Sequence, residues 1–310
     1  MTGPLIECVP NFSEGRDATR IDALENAVSA VRGVKVLHRT SDADHNRTVI
    51  TFVAEPDTVV EAAVRVAAKA AELIDLNHHR GVHPRLGALD VLPFVPLYGA
   101  TMDQAIAIAH EAGNRLWNEL GIPVYFYERA ALHADRVRLE NVRRGQFEGR
   151  RAAVLSDPAA RPDIGGPALH PTAGATMAGA RKILVAYNIN LKSTDLALAK
   201  SIAKHIRESS GGFRSVKALG FPLPSRGLVQ VAINFTDVQK TPVHVVYAEV
   251  SRLAAERGVE IEESELIGLI PRKALEAAAA DLLKLSAFDS QRVIENRLET
   301  VMGADRTSVL

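Results

Sequence analysis

Hydrophobic residues near the start of the chain recur at two spacings, and the changes between them mark the predicted elements. A spacing of two is typical of strands and a spacing near 3.6 of amphipathic helices; Val49, Thr51 and Val53, for example, share one face of a strand. The pattern predicts strands at 5–10, 34–37, 47–53 and 88–95 and helices at 18–31 and 56–74. Read in chain order, these elements form a β-α-β-β-α-β unit of the ferredoxin-like kind.

The same order returns after residue 181. It consists of strands at 182–191, 216–221, 228–235 and 266–270 and helices at 195–206 and 242–257. Asn11 and Asn188 follow corresponding first strands, and Pro56 and Pro242 begin corresponding second helices. We therefore predict an α+β fold, an α/β sandwich of two tandem ferredoxin-like βαββαβ subdomains at 1–180 and 181–310.

The region between the two units carries weaker signals. Residues 101–120 show helical periodicity and 124–127 read as extended. Residues 156–181 are rich in Pro, Gly and Ala, which indicates a linker or a binding loop.

Composition narrows the function classes. Lysine plus arginine and aspartate plus glutamate are balanced at 37 each, so no global field favours nucleic acid or an anionic membrane. The single cysteine, Cys8, excludes an internal disulfide and a cysteine-rich metal site, and its apolar surroundings predict a core position. The chain begins without a secretion signal and has no apolar stretch of about 20 residues, so we expect a cytoplasmic protein.

The chemistry concentrates in residues 78–90. Gly81, Pro84 and Gly87 predict a loop that carries three histidines and two arginines between a helix and a strand. Imidazole exchanges protons near neutral pH, so this loop is a candidate for acid and base catalysis. The spacing of His79 and His83 would also suit a pair of zinc ligands on a helix. Gly81 and Pro84 disfavour a helix at this point, so the two histidines make a poor ligand pair and we expect no metal.

Several motifs resemble the formiminotransferase family, in the right order from residue 5 to about residue 280. They are Glu7-Cys8-Val9-Pro10-Asn11-Phe12-Ser13-Glu14-Gly15, Asp44-His45-Asn46-Arg47-Thr48-Val49, His79 to Asp90, Pro171-Thr172-Ala173-Gly174-Ala175-Thr176, Gly179-Ala180-Arg181-Lys182, Ala186 to Leu191, Lys240-Thr241-Pro242 and Gly268-Leu269-Ile270-Pro271. The resemblance implies two similar α/β subdomains with the ligand site between them. It also implies a form without the cyclodeaminase domain that some relatives carry.

The resemblance further implies the reaction and its partners. The formimino group of N-formimidoyl-L-glutamate would move to N5 of tetrahydrofolate, the co-substrate, and release glutamate in histidine degradation. The family's catalytic histidine falls on His83, which would act as base and then as acid. We expect a homodimer, because dimers are the commonest oligomers.

The charges of the substrates suggest further site residues. Arg47 and Arg85 are candidates for the donor's carboxylates, because guanidinium groups bind carboxylates bidentately. Glu14 is a candidate acceptor for the cationic amidine. His45 and Asn46 are also candidates for the substrate site, because they belong to the motif at 44–49 that resembles the family. For folate, the resemblance implies the segment 163–172, of which we single out Asp163, Ile164, Gly165, Gly166, His170, Pro171 and Thr172.

The folate segment departs from the family pattern. The usual Pro-Asp-Phe-Gly-Pro reads here Pro162-Asp163-Ile164-Gly165-Gly166-Pro167, and a common lysine is replaced by Ala168. The lost aromatic predicts weaker stacking on the pterin. Two other functions stay open: a hydrolase that passes the formimino group to water without folate, and a non-catalytic folate-binding protein.

Overall fold

A computed structural model describes residues 3–301, and its contacts divide the chain into two units after Lys182. The strands of the first unit are β1 (Ile6–Cys8), β2 (Asn11–Phe12), β3 (Lys35–Asp42), β4 (Arg47–Ala54), β5 (Leu89–Pro96), β6 (Val124–Glu128) and β7 (Thr176–Ala180). Its helices are α1 (Ala18–Ser29), α2 (Pro56–Leu73), α3 (Met102–Leu120), α4 (Leu139–Val142) and α5 (Gln146–Ser156).

Strands β1 and β2 occupy one position in the first sheet, because both pair antiparallel with β4 on one side and β5 on the other. Pro10 separates them and has no N–H to donate to the ladder. The sheet then runs from β3 through β4, the β1–β2 position, β5 and β7 to β6. The last two neighbours, β5–β7 and β6–β7, are parallel.

The second unit contains β8 (Val185–Leu191), α6 (Leu196–Ile206), β9 (Val216–Leu223), β10 (Leu228–Phe235), α7 (Val243–Ala255) and β11 (Ile261–Ile267), followed by α8 (Arg272–Leu282) and α9 (Ile294–Val301). Its antiparallel sheet has the order β11-β8-β10-β9. The first unit repeats this order as β5, β1–β2, β4 and β3. The α+β fold of two similar subdomains is therefore confirmed, and the first unit adds β7 and β6 to the common pattern.

The helices begin where the sequence places their caps. Asp17 accepts hydrogen bonds from the backbone N–H groups of Thr19 and Arg20, and Pro56 occupies the first turn of α2. In α3, Thr101 and Gln104 form a reciprocal capping box. The apolar faces of α1, α2 and α3 are buried, and Cys8 is fully buried among the same core residues, as predicted.

Two predictions about elements were wrong. Residues 156–181 do not form only a linker or loop, because their last part is β7, a fully buried strand between β5 and β6. Gly179 in this strand makes room for a ring, since a Cβ there would lie 2.4 Å from a ring carbon of Tyr127. The last strand of the second unit is Ile261–Ile267 rather than 266–270; it lies at the sheet edge and carries three glutamates that hide its alternation.

Within residues 3–301, no helix is long and apolar enough to cross a membrane.

Candidate active site

The loop that carries His83 lies between α2 and β5 and is held against the turn that joins β3 to β4. The N–H of Val82 donates to the carbonyl of Asp44 at 3.1 Å. Gly81 permits this approach, because a Cβ at that position would lie 2.3 Å from the carbonyl oxygen of His45. The loop at 78–90 and the motif that contains His45 are therefore adjacent, and the ring centroids of His45 and His83 are 5.7 Å apart.

His83 has a defined tautomer. Its Nδ1 lies 2.7 Å from the carbonyl oxygen of Pro84, and a carbonyl oxygen can only accept, so Nδ1 carries the proton. In the neutral ring, Nε2 is then the basic nitrogen. Burial lowers the pKa of His83 well below its usual value, and the positive charges of Arg47 and Arg143 lower it further. The imidazole is therefore neutral at pH 7 and able to accept a proton.

Asp90 is the central charge of this region, and its carboxylate is fully buried. Oδ1 accepts from the backbone N–H groups of Leu86 at 2.7 Å and Gly87 at 3.2 Å, in the His83 loop. Oδ2 accepts from Nη1 of Arg47 and from Nη2 of Arg143, both at 2.8 Å. Although burial opposes ionisation, the two guanidinium groups and these N–H groups keep the pKa of Asp90 below its usual value. One carboxylate thus fixes both the loop and two arginines.

The nitrogens of Arg47 all have acceptors inside the protein. Nε and Nη2 donate to Oδ1 of Asn11 at 3.2 and 2.9 Å, and Nη1 donates to Asp90. Burial lowers the pKa of Arg47 to about 10, a value at which the group is still a cation at neutral pH. The structure therefore shows Arg47 as the partner of Asn11 and Asp90.

Arg85, the other predicted carboxylate partner, is also paired. Its Nη1 and Nη2 bind the two oxygens of Glu148 at 2.7 and 2.6 Å, and its Nε donates to Nδ1 of His79 at 3.2 Å. This bidentate pair lowers the pKa of Glu148 to about 2. The arginine and its neighbours line a cavity of about 200 Å³, formed by His79, Arg80, Gly81, Arg85, Gln146 and Glu148.

Glu14 stabilises the start of α1. Its Oε1 accepts from the backbone N–H groups of Gly15, Arg16 and Asp17 at 2.9–3.1 Å, and its Oε2 lies 3.3 Å from Nη1 of Arg20. The side chain is only 9% exposed. Its oxygens therefore serve the protein's own backbone and Arg20, which argues against the amidine contact that the charges suggested.

Asn46 connects three segments of the site. Its Oδ1 accepts from Gly15 N–H at 2.9 Å, its Nδ2 donates to the carbonyl of Arg80 at 3.0 Å, and its own carbonyl accepts from Nε2 of His79 at 2.9 Å. The residue has a positive φ of 50°, which asparagine tolerates better than most residues. Its side chain is thus engaged in holding the loop next to β4.

The predicted folate segment is divided in the structure. The side chain of Asp163 is fully buried: Oδ1 accepts from Nη1 of Arg136 at 2.6 Å, and Oδ2 accepts from the N–H of Phe126 at 2.7 Å. Ile164 forms a bridge to Val124, and Gly165, with a φ of 82°, packs on the ring of Trp117. Residues 163–166 therefore lie along β6 and α3.

Residues 170–174 lie beside the His83 loop instead. The carbonyl of Thr172 accepts from Leu76 N–H and that of Ala173 accepts from Ala88 N–H, both at 2.9 Å. Nδ1 of His170 accepts from the N–H of Ala173 at 3.0 Å, which closes the turn. Of the predicted folate residues, His170, Pro171 and Thr172 are the ones that the fold brings to the His83 loop.

Sequence reasoning missed two residues of the site. Asp90 belongs to the motif from His79 to Asp90, but its role depends on Arg47 and Arg143, which lie 43 and 53 positions away and which no local pattern reveals. Arg143 follows α4 in a stretch without a recognisable motif.

Across residues 3–301, no group of three His, Cys, Asp or Glu side chains is placed to hold a metal ion.

The first unit thus places a neutral, partly buried imidazole near Arg47 and Arg143, an arrangement that can exchange a proton close to a bound anion. Residues 5–181 match the formiminotransferase domain, N-terminal subdomain, and residues 186–300 match the formiminotransferase domain. A glutamate formimidoyltransferase of Thermoplasma acidophilum is 42% identical to this chain, and the matched region covers 95% of this chain and 97% of that protein. A glutamate formimidoyltransferase of Streptococcus pyogenes is 41% identical, and the matched region covers 95% of this chain and 98% of that protein.

A formimidoyltransferase-cyclodeaminase of Sus scrofa is 43% identical over 95% of this chain and 56% of its own length. The chain therefore belongs to the formiminotransferase family.

Proposed function

We propose that the protein is a glutamate formimidoyltransferase, which moves the formimino group of N-formimidoyl-L-glutamate to N5 of tetrahydrofolate and releases L-glutamate. The observation that carries the proposal is the geometry around His83. A neutral imidazole with its proton on Nδ1 stands beside an arginine cluster, in a chain of this family.

The reaction requires a group that accepts one proton and later returns it. The donor's formimino carbon belongs to an amidine, which is electrophilic when protonated, and N5 attacks it as a neutral amine. Nε2 of His83 accepts the proton that N5 must lose once the new N–C bond has formed. The imidazolium then donates this proton to the glutamate nitrogen, the old C–N bond breaks, and the formimino group stays on N5. No nucleophile of the protein is needed.

For tetrahydrofolate we propose the segment 163–172, with its two parts in different roles. His170, Pro171 and Thr172 are next to the His83 loop and are the better placed to contact the ligand. Asp163 holds this segment in position rather than contacting the ligand, because its carboxylate binds Arg136 and the N–H of Phe126. The homodimer stays a prediction.

The test is glutamate release from N-formimidoyl-L-glutamate by chelator-treated enzyme, measured with and without tetrahydrofolate. We expect release only when tetrahydrofolate is present, in equal amount to the 5-formimidoyltetrahydrofolate formed. Release that ignores tetrahydrofolate would favour the hydrolase. Folate binding without release would favour the non-catalytic binding protein.

The pH profile provides a second prediction. As the pH falls, His83 becomes protonated and stops acting as a base, and since its pKa is lowered, kcat/KM should fall only well below pH 6.5. Arg143→Gln removes one of the charges that lower this pKa, so the acidic limb should move to higher pH. Arg144→Gln, one residue away and exposed, should leave the limb in place. An acidic limb that is identical in all three proteins would contradict the electrostatic account of His83.

A further inference from the structure

We propose that Arg143 binds the α-carboxylate of the donor, as a specificity-determining residue of the same site; the inference rests on the proposed function. The first step is the state of the other arginines. All three nitrogens of Arg47 donate to Asn11 or Asp90, and those of Arg85 donate to Glu148, His79 and the carbonyl of Leu76. Of the five N–H groups that a guanidinium carries, three of Arg47 and four of Arg85 are therefore already engaged by the protein.

Arg143 differs from both. Its side chain is 13% exposed, and its one hydrogen bond among the described residues runs from Nη2 to Asp90. Its Nε is buried, and no acceptor for it exists within residues 3–301. A buried donor without an acceptor costs free energy in folding, so Arg143 is the least completely satisfied of the three arginines.

The charge balance supports an anionic ligand. The single negative charge of Asp90 faces the two positive charges of Arg47 and Arg143, which leaves one positive charge in a buried environment. A carboxylate is the planar acceptor that best matches a guanidinium. Bound there, it would neutralise the excess charge and accept from Nη1, the guanidinium nitrogen of Arg143 that is neither buried nor hydrogen-bonded within residues 3–301.

Position identifies which carboxylate this is. Arg143 and the His83 loop bind the same carboxylate, because Oδ2 of Asp90 accepts from Nη2 of Arg143 and Oδ1 accepts from the N–H groups of Leu86 and Gly87. The charge of Arg143 accordingly also lowers the pKa of His83. His83 must protonate the glutamate nitrogen, and the α-carboxylate is attached to the carbon that bears this nitrogen. The γ-carboxylate is two carbons further away. An arginine beside His83 therefore meets the α-carboxylate.

The segment that carries Arg143 is fixed to the catalytic loop. The N–H of Phe147 donates to the carbonyl of Arg85 at 3.0 Å, and Glu148 binds the Arg85 guanidinium. Nη2 of Arg150 donates to the last carbonyls of α4, at Asn141 and Val142. Arg143 is thus held in place before any ligand arrives, which lowers the entropic cost of binding.

The test compares donors that each lack one carboxylate. N-formimidoyl-4-aminobutyrate lacks the α-carboxylate and N-formimidoyl-2-aminobutyrate lacks the γ-carboxylate. Arg143→Ala should raise the KM for N-formimidoyl-L-glutamate and for the second analogue by about 10- to 100-fold, the effect of losing one or two charged hydrogen bonds. The KM for the first analogue should change less than about threefold, because the contact is absent from that substrate.

Arg144→Ala is the matched control: Arg144 is exposed, and its change should leave all three KM values within about twofold of wild type. Should Arg143→Ala fail to fold, Arg143→Lys provides the same comparison, since lysine keeps the charge and loses the planar fork. An unchanged donor KM in the Arg143 variant, or an equal loss on all three substrates, would overturn the inference. Wild-type enzyme that releases no glutamate in the presence of tetrahydrofolate would instead refute the proposed function.

Discussion

Replacing His83 with glutamine is expected to lower kcat by about 10²- to 10⁴-fold, the usual contribution of a general acid–base group. Glutamine is polar and close in size, but it has no nitrogen that can accept a proton near neutral pH and return it. Because His83 is proposed to move protons rather than to hold substrate, KM for both substrates should change only a few-fold. Initial rates of glutamate release at saturating tetrahydrofolate provide the measurement.

The same chain offers a matched control for this experiment. His78 is five residues earlier in the same loop, and its side chain is 86% exposed. His78→Gln should retain kcat within about twofold. A His83→Gln enzyme that also keeps wild-type kcat would rule out the proposed role.

Asp90→Asn is expected to have the largest effect on stability, about 3–5 kcal/mol, the range observed when one partner of a buried ion pair is removed. Asparagine leaves the guanidinium groups of Arg47 and Arg143 buried without their counter-charge. It also weakens the acceptor for Leu86 and Gly87, so the His83 loop should loosen and activity should fall. The measurement is urea unfolding followed by fluorescence of Trp117, the single tryptophan, which lies in α3 of the first unit.

An exposed aspartate provides the comparison for Asp90. Asp281 lies in α8 and its side chain is in contact with solvent, so Asp281→Asn should change the free energy of unfolding by no more than about 0.5 kcal/mol. If both variants unfold at the same urea concentration as wild type, Asp90 does not hold the arginines and the loop together.

The elements that could be predicted are those whose signal is local. Helix α1 has a periodic apolar face and Asp17 in front of it, and α2 begins at Pro56, so pattern and cap agree. Strand β7 was missed, because Gly and Ala in a Pro-rich neighbourhood look like a loop until the Tyr127 ring that packs on Gly179 is known. Helix α5 was missed because four of its apolar residues are consecutive, at 152–155, rather than spaced with a helical period, and only Phe147 and Val154 are buried.

The site shows the same division. The His83 loop is readable from its glycines, proline and histidines, which are neighbours in sequence. The partners of its charged groups are not readable, because Asp90 meets Arg143 and Arg85 meets Glu148 across more than fifty residues. Residue type marked Arg47 and Arg85 as candidate partners of the donor's carboxylates, but whether an arginine serves a substrate or the protein depends on which acceptors the fold places around it.

The most direct test of the account follows the formimino carbon itself. N-formimidoyl-L-glutamate labelled with ¹³C at that carbon is incubated with wild type and with His83→Gln, with and without tetrahydrofolate, and the label is followed by NMR. The account predicts that the donor resonance is replaced by that of the N5 adduct only when tetrahydrofolate is present, and far more slowly with the variant than with wild type. Loss of the label from the donor without tetrahydrofolate, or transfer by the variant at the wild-type rate, would contradict it.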